Sequence, residues 1–412
     1  MKNGPPPPPS RQPTDADRRR ALAFAPAVLE QHLQRLNDLP AHGNAKLRAD
    51  QLVLGLLLSF FDPMARSLRL IQGCGDFGGQ LGLARLSRST TSDALAAFDP
   101  ELLRPLIDDL LSRCPGLAKA DADPTLAGIT REIIAADGTY LTTIADVASW
   151  ALRHTKSDGR AQAQVRANVQ LDVDTWAPRV VTVSGDDGES EPAAFAKDLL
   201  SGVLYVVDRN FVDFAFVAAV LAKGNDLVQR IKSNQPSARV VRSGPLTAED
   251  LAAGVTADEL VELTGRDAPA GTFRRVTIVT TDRNGNPETI RLLTNLTDPA
   301  AVAARVIGEI YRKRWQIELF FKWLKCFARM EHLLSTSRRG ITVQLYVAVI
   351  AVLLMHVQSG RRVSIYALAA LSRVAGGVLT LEQAMAEIRR AQHERDLARA
   401  RQARLRAARK RA

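Results

Sequence analysis

The stretch Tyr311–Lys325, YRKRWQIELFFKWLK, decides how the rest of the chain is read. Placed on a helix at 100° per residue with Glu318 at zero, Tyr311 falls at about +20°, Arg314 at about −40°, Lys322 at about +40° and Lys325 at about −20°. Ile317, Leu319, Phe320, Trp323, Leu324 and Phe327 fall on the other side, spanning roughly 100° to 260°. The stretch therefore predicts one helix with a broad apolar back. Its front carries a single carboxylate among three cations and a phenol. The plainer reading of that front is a solvated face laced by i,i+4 bridges, Arg314–Glu318 and Glu318–Lys322. The excess of positive charge around one acid points further, to a surface that binds an anion while keeping the acid ionised.

Tyr311, Arg314, Glu318 and Lys325 also meet the spacing Tyr-x2-Arg-x3-Glu-x6-Lys without a gap. This resembles the third acidic block of bacterial insertion-sequence DDE transposases of the YREK type (the insertion-sequence-four family). Two aspartates are then expected upstream. Glu132–Ala136 reads as a short buried strand that ends in Asp137 and the turn Gly138-Thr139, which resembles the family's first block. Val203–Val207 reads as a second strand running into Asp208-Arg209-Asn210-Phe211, which resembles the second. Alone, either aspartate suits a turn or a helix N-cap. Together with Glu318 they form an ordered acid set with 70 and 109 intervening residues. Open sheets place sites at such strand ends.

The fold expected from these elements is α/β. Ala163–Leu171 and Arg179–Val183 alternate and flank Asp172–Thr175, the pattern of a hairpin. A helix over Val212–Leu221 and a strand over Leu227–Ile231 follow the Asp208 strand. Antiparallel strands beside parallel ones with intervening helices resemble a ribonuclease-H-like mixed sheet. The expected organisation is a Pro/Arg-rich leader over 1–20 and a helical domain over 21–125 that is either DNA-end-binding or a purely structural bundle. The first part of the catalytic core spans 126–235, and a β-rich insertion spans 236–304, with strands at Thr272–Thr280 and Thr289–Asn295. The second part of the core spans 305–360, and C-terminal helices with a basic tail span 361–412. The resemblance implies such an insertion between the second aspartate and the glutamate. Within 21–125, Leu52–Phe61 reads as an apolar helix, and Leu86–Asp93, rich in N-cap residues, opens onto Ala94–Phe98.

Composition fits a polyanionic partner. The 412 residues carry a net charge of +11, and 46% are hydrophobic. Arginines crowd the tail from Arg395 to Arg411. The run Tyr346–Val357, about twelve residues, is short of the roughly 18–20 needed to span a bilayer and reads as a buried helix, with no membrane partner. No apolar segment follows the N-terminal charges, and the three cysteines lack metal-ligand spacing. A cytoplasmic, nucleoid-associated bacterial protein is expected.

The chemistry needs hard oxygen donors. Phosphodiester cleavage and transfer in this class call for two divalent cations about 4 Å apart. Mg²⁺, with Mn²⁺ as a substitute, suits carboxylates. The resemblance assigns the metals to Asp137, Asp208 and Glu318, with Asp137 shared. It assigns DNA phosphate contacts to Tyr311, Arg314 and Lys325, with Lys322 beside them. It implies a cut-and-paste cycle on double-stranded DNA with terminal inverted repeats, then joining to target DNA, within a synaptic homodimer. Where a hairpin intermediate forms, a displaced base stacks on an aromatic ring, and Trp315 is the candidate. The chain departs from some relatives here, because residues 236–304 contain no Trp. Two rivals are a ribonuclease-H-like nuclease or resolvase that hydrolyses without joining, and an inactive, transposase-derived DNA-binding regulator.

Overall fold

The computed structural model describes residues 27–40, 47–61, 88–114, 124–143, 149–155, 161–233, 235–282, 284–326, 330, 333–359, 365–375 and 378–409. The leader over 1–20, Leu86, Ser87 and Phe327 lie outside them. The chain divides into two compact units, residues 118–323, and residues 1–117 together with 324–412.

The N-terminal part of the second of these units contributes α1 (Ala27–Asn37), α2 (Ala49–Phe61), α3 (Arg88–Ala97) and α4 (Arg104–Ser112). The described part of the hydroxyl-rich run expected to cap a helix, residues 88–93, lies inside α3, where Thr91 and Leu95 are buried.

The unit over 118–323 is built on one sheet. Its strands are β1 (Ile133–Thr143), β2 (Leu152–Thr155), β3 (Ala161–Asp172), β4 (Pro178–Ser184), β5 (Leu204–Val207), β6 (Asp226–Ile231), β7 (Ala238–Ser243), β8 (Val255–Leu263), β9 (Thr272–Thr281) and β10 (Pro287–Thr294). The order is β2-β3-β1-β5-β6-β10-β9-β8-β7, with β4 also paired to β3. β1 is antiparallel to β3 but parallel to β5, and β5 is parallel to β6. This mixed sheet, interleaved with helices, is the ribonuclease-H-like α/β fold. Strands β7 to β10 continue the same sheet past β6 by antiparallel pairing.

Short helices connect the strands. α5 (Glu191–Ala196) follows β4, α6 (Phe214–Ala222) follows β5 and α7 (Ala248–Ala252) follows β7. One face of the sheet buries Ile134, Ala136, Tyr205 and Val207 against Phe195 of α5 and Phe216, Val217 and Val220 of α6. Phe211 stands between Phe195 and Phe216, 5.2 Å from each ring centroid. Alternation along a strand sends Ile133, Ala135, Leu204 and Val206 to the opposite face.

The stretch expected to be one helix is two, α8 (Ala304–Lys313) and α9 (Trp315–Cys326). At the junction Arg314 N bonds Tyr311 O at 3.0 Å, and Ile317 N bonds Arg314 O at 3.1 Å. These i→i−3 bonds tighten the turn and break the α-helical ladder, although Arg314 keeps helical dihedrals. α9 is seated by the β3–β4 turn. Trp176 there has φ 62°, packs edge-on to Phe320 at 6.2 Å and donates from Nε1 to Gln316 Oε1 at 3.2 Å. A left-handed tryptophan is strained, and these contacts hold it in place. Ile317, Phe320 and Trp323 are buried, as the apolar back requires.

The helical unit is completed by α10 (Arg338–Ser359), α11 (Ile365–Ala375) and α12 (Leu381–Arg409). α10 is longer than its most apolar run, because Ile341, Val343 and Leu345 extend the buried surface. By length and composition it could cross a membrane, but it is largely buried. It packs on α2, α3 and α4 as the core helix of its unit. Its Tyr346 hydroxyl receives Arg104 Nη2 at 3.0 Å.

One buried ion pair anchors the far strands. Arg274 on β9, 1% exposed, makes a two-pronged bridge to Asp258 on β8, each contact 2.7 Å. Asp258→Ala would leave a buried charge without its partner, so we expect a loss of about 3–5 kcal/mol, measured by urea denaturation.

Candidate active site

The register of the sheet brings the two aspartates level. Ala135 pairs with Val206 across the parallel β1–β5 ladder, and Asp137 and Asp208 each lie two residues further on. Both therefore continue the face opposite the Phe195–Phe216 core. Asp208 ends β5 as expected and caps the short 3₁₀ turn Arg209–Phe211, accepting from Arg209 N–H. Asp137 does not end its strand. β1 runs on to Thr143 because residues 134–143 all pair with β3. The following Gly138 is consequently not a turn residue but a notch. A Cβ there would stand 2.3 Å from Glu191 Oε1 and 3.0 Å from Arg166 Cδ.

Arg314 ties this strand to the helices. Its Nη1 lies 3.4 Å from Asp137 Oδ2 and 3.2 Å from Glu318 Oε1. The i,i+4 bridge of a solvated helix face is thus present, but the same guanidinium is only 12% exposed and also reaches an acid 177 residues away. Its Cζ sits 5.9 Å from the centre of the Tyr311 ring. Burial works against the charge on Arg314, and Tyr311, Asp208, Asp137 and Glu318 more than offset it. Its Nε is buried with no hydrogen-bond partner.

The carboxylates repel one another. Burial first, then the charge of Glu191, pushes Asp137 up to about 7, with Glu318 adding and Arg314 and the Gly138 N–H opposing. Glu191 is itself raised, by burial and by Asp208, against the pull of Arg166. Burial raises Tyr311 as well, so its phenol keeps its proton.

Tyr311, Arg314, Asp137, Asp208 and Glu318 thus fall into one electrostatic cluster. Lys322 is exposed two helical positions before Leu324. Lys325 is half-buried one turn later, in the part of α9 assigned to the other unit. Trp315 opens α9 with 44% of its surface exposed. The sequence reading missed Glu191 and Arg166. Glu191 looks like an ordinary acidic first-turn residue behind the Ser190 cap. Only Gly138 hints that a side chain must approach the Asp137 backbone.

Residues 129–354 match the family model described as "Transposase DDE domain". The chain belongs to that family. The Sinorhizobium fredii protein named "Putative transposase y4zB" is 29% identical over 49% of this chain and 55% of its own. The Synechocystis protein named "Putative transposase for insertion sequence element IS4SA" is 33% identical over 36% of this chain and 39% of its own. A Geobacillus stearothermophilus protein named "Probable transposase for insertion sequence element IS5377" is 24% identical over 68% of this chain and 69% of its own. The chain spans 55% and 39% of the length of the first two curated relatives it matches.

DDE transposase domains generally use divalent metal ions. The donor chemistry here fits such an ion, since Asp137, Asp208, Glu318 and Glu191 offer hard oxygens. Burial first, and the charges of Glu191 and Glu318 after it, raise Asp137 by more than Arg314 offsets. Among the described residues, no three acidic, histidine or cysteine side chains already converge as a closed cation cage; Arg314 holds Asp137 and Glu318 instead.

The raised Asp137 has a signed consequence for stability. Between about pH 4 and 7 the folded chain keeps a proton that the unfolded chain has lost, so stability falls as pH rises through that window. Above it the folded state bears the full cost of the charge, at most about 4 kcal/mol. Without divalent cation, Asp137→Asn is therefore expected to melt higher than wild type at pH 8, with the gap closing toward pH 4, in thermal denaturation across pH.

Proposed function

We propose that this DDE domain is of the YREK type and catalyses divalent-metal-dependent cleavage and strand transfer at the ends of its insertion sequence. The observation that carries this reading is the Arg314 guanidinium joined to both Asp137 and Glu318, with a buried donor to spare. An arginine fork among carboxylates is the arrangement needed to meet a phosphate once those carboxylates take a cation.

In this reading Asp137, Asp208 and Glu318 hold two Mg²⁺ ions, for which Mn²⁺ substitutes. Held there, such ions would supply activation of the attacking oxygen and stabilisation of the leaving oxygen. Arg314 turns from the carboxylates to the scissile phosphate, and the protonated Tyr311 donates beside it. Lys322 and Lys325 extend the phosphate track along α9. Water attacks phosphorus, the P–O3′ bond breaks, and a 3′-OH and a 5′-phosphate result. The freed 3′-OH then attacks a second phosphodiester in the same site, the P–O3′ bond there breaks and its O3′ leaves as a new 3′-OH; where a base is displaced, Trp315 stacks on it. Double-stranded DNA with inverted ends and target DNA are the partners, engaged by a synaptic homodimer. Residues 21–125 and the arginine-rich α12 supply further DNA contacts. Glu191 and Arg166, behind Gly138, set the charge around Asp137.

A cleavage and joining assay with the DNA ends flanking the gene and Mg²⁺ or Mn²⁺ tests the proposal. Asp137→Asn, Asp208→Asn and Glu318→Gln are each expected to lower cleavage by about a thousandfold or more while end binding stays within a few fold. Nicking without joining would replace this reading with a nuclease. Binding with no metal-dependent cleavage would replace it with a regulator.

Lys325→Ala is expected to weaken end binding and reduce the slope of log affinity against log salt by about one, measured by fluorescence anisotropy. An unchanged slope would remove Lys325 from the phosphate track.

A further inference from the structure

The helix that carries Tyr311 cannot cap itself. Ala303 occupies the N-cap of α8 and offers no side-chain acceptor. The first amides of a helix have no partner within it. One of them, Arg305 N–H, is taken by Asp250 Oδ1 at 2.9 Å, from α7 in the β-rich segment 55 residues earlier. Asp250 is 4% exposed. Its other oxygen, Oδ2, closes the capping box of α7, accepting from Thr247 N–H at 3.1 Å and Thr247 Oγ1 at 2.7 Å. One carboxylate therefore caps two helices.

Three further contacts tie α7 and β9 to α8 or to the residues that enter it. Arg305 Nη2 pairs with Glu249 Oε2 at 2.6 Å. Arg274 Nη1 donates to Val302 O at 2.6 Å, fixing the segment that enters α8. A Cβ on Gly308 would stand 2.6 Å from Ile278 Cδ1, so the bare glycine lets α8 lie close to β9. Of these, only the Asp250 bond satisfies a backbone group of α8 itself.

We infer that Asp250 is a positioning residue. By capping α8 from the β-rich segment it sets where Tyr311 and the Arg314 turn stand against Asp137 and Asp208. The inference rests on the proposed roles of Tyr311, Arg314 and the acids. Misplacement of such groups by about 1 Å is enough to cost about a hundredfold in rate. The β-rich segment then acts as a splint for the α8–α9 junction, in addition to any contact with DNA.

Three substitutions separate this role from local stability. Thr247→Ala removes the hydroxyl half of the α7 box, where Oγ1 bonds Asp250, and leaves Thr247 N–H on Asp250 Oδ2 and the bond to Arg305. Asp250→Ala removes both, and Asp250→Asn keeps one carbonyl oxygen for Arg305. With the full-length chain, Asp250→Ala is expected to slow single-turnover end cleavage by about tenfold or more, with end affinity within about threefold. Thr247→Ala should cleave within about twofold of wild type, and Asp250→Asn should recover most of the rate. Hydrogen–deuterium exchange gives a readout that does not need activity. In Asp250→Ala, exchange should rise about tenfold over 304–314, and in Thr247→Ala the rise should stay within 247–253. Equal slowing in Thr247→Ala and Asp250→Ala, or exchange in Asp250→Ala that rises only within 247–253, would overturn the positioning role. Absence of cleavage by wild type would instead count against the transposase reading, and the exchange comparison would still decide the splint.

Discussion

Carboxylates gathered in a half-buried place repel one another, and something must hold them there. In this chain that task falls to Arg314. Its guanidinium joins an acid on a central strand to an acid on a helix, and Tyr311 lies along it. The sheet, the two helices and the β-rich segment can be understood as what it takes to keep one planar cation and its three acids in register. The pair is not a stabilising luxury. The acids remain under strain, as the raised Asp137 shows, and a site poised to take positive charge is the result.

The frame achieves this with a few fixed points. Parallel pairing of β1 with β5 levels Asp137 with Asp208. The strained Trp176 clasps Gln316 and Phe320, which flank Glu318 two residues to either side and so orient it. A tightened turn at Arg314 sits between two helices rather than within one. The buried Arg274–Asp258 pair ties β8 and β9 to the chain entering α8. Each fixed point is a polar or strained feature backed by packing.

Much of this was legible in the residues. Strands β5, β6, β9 and β10 and the β3–β4 hairpin follow from alternation and turn residues, and the apolar back of α9 follows from period. The acids stand out by order and spacing. What could not be read was non-local. Asp-Gly-Thr has the local chemistry of a turn, yet pairing with β3 carries the strand through it. Nothing in the stretch around Arg314 marks a break, because its dihedrals stay helical and only the bonding changes. Glu191 and Asp250 each look like first-turn acids of short helices. Their partners, Gly138 and Arg305, are 53 and 55 residues away by number, and no periodicity spans such a distance.

The β1–β5 register also limits how this chain can change in length. Side chains alternate with a period of two, so a single residue gained or lost within 133–137 or 204–208 would turn an aspartate to the wrong face rather than shift it slightly. Such a change does not weaken the acid set by degrees; it removes a member. Insertions elsewhere, as in the Asp282–Asn286 turn between β9 and β10, leave that phase untouched. Variation in length is thus free at the loop tips and forbidden along a few residues of two strands, and drift in this chain would be filtered by parity before it is filtered by chemistry.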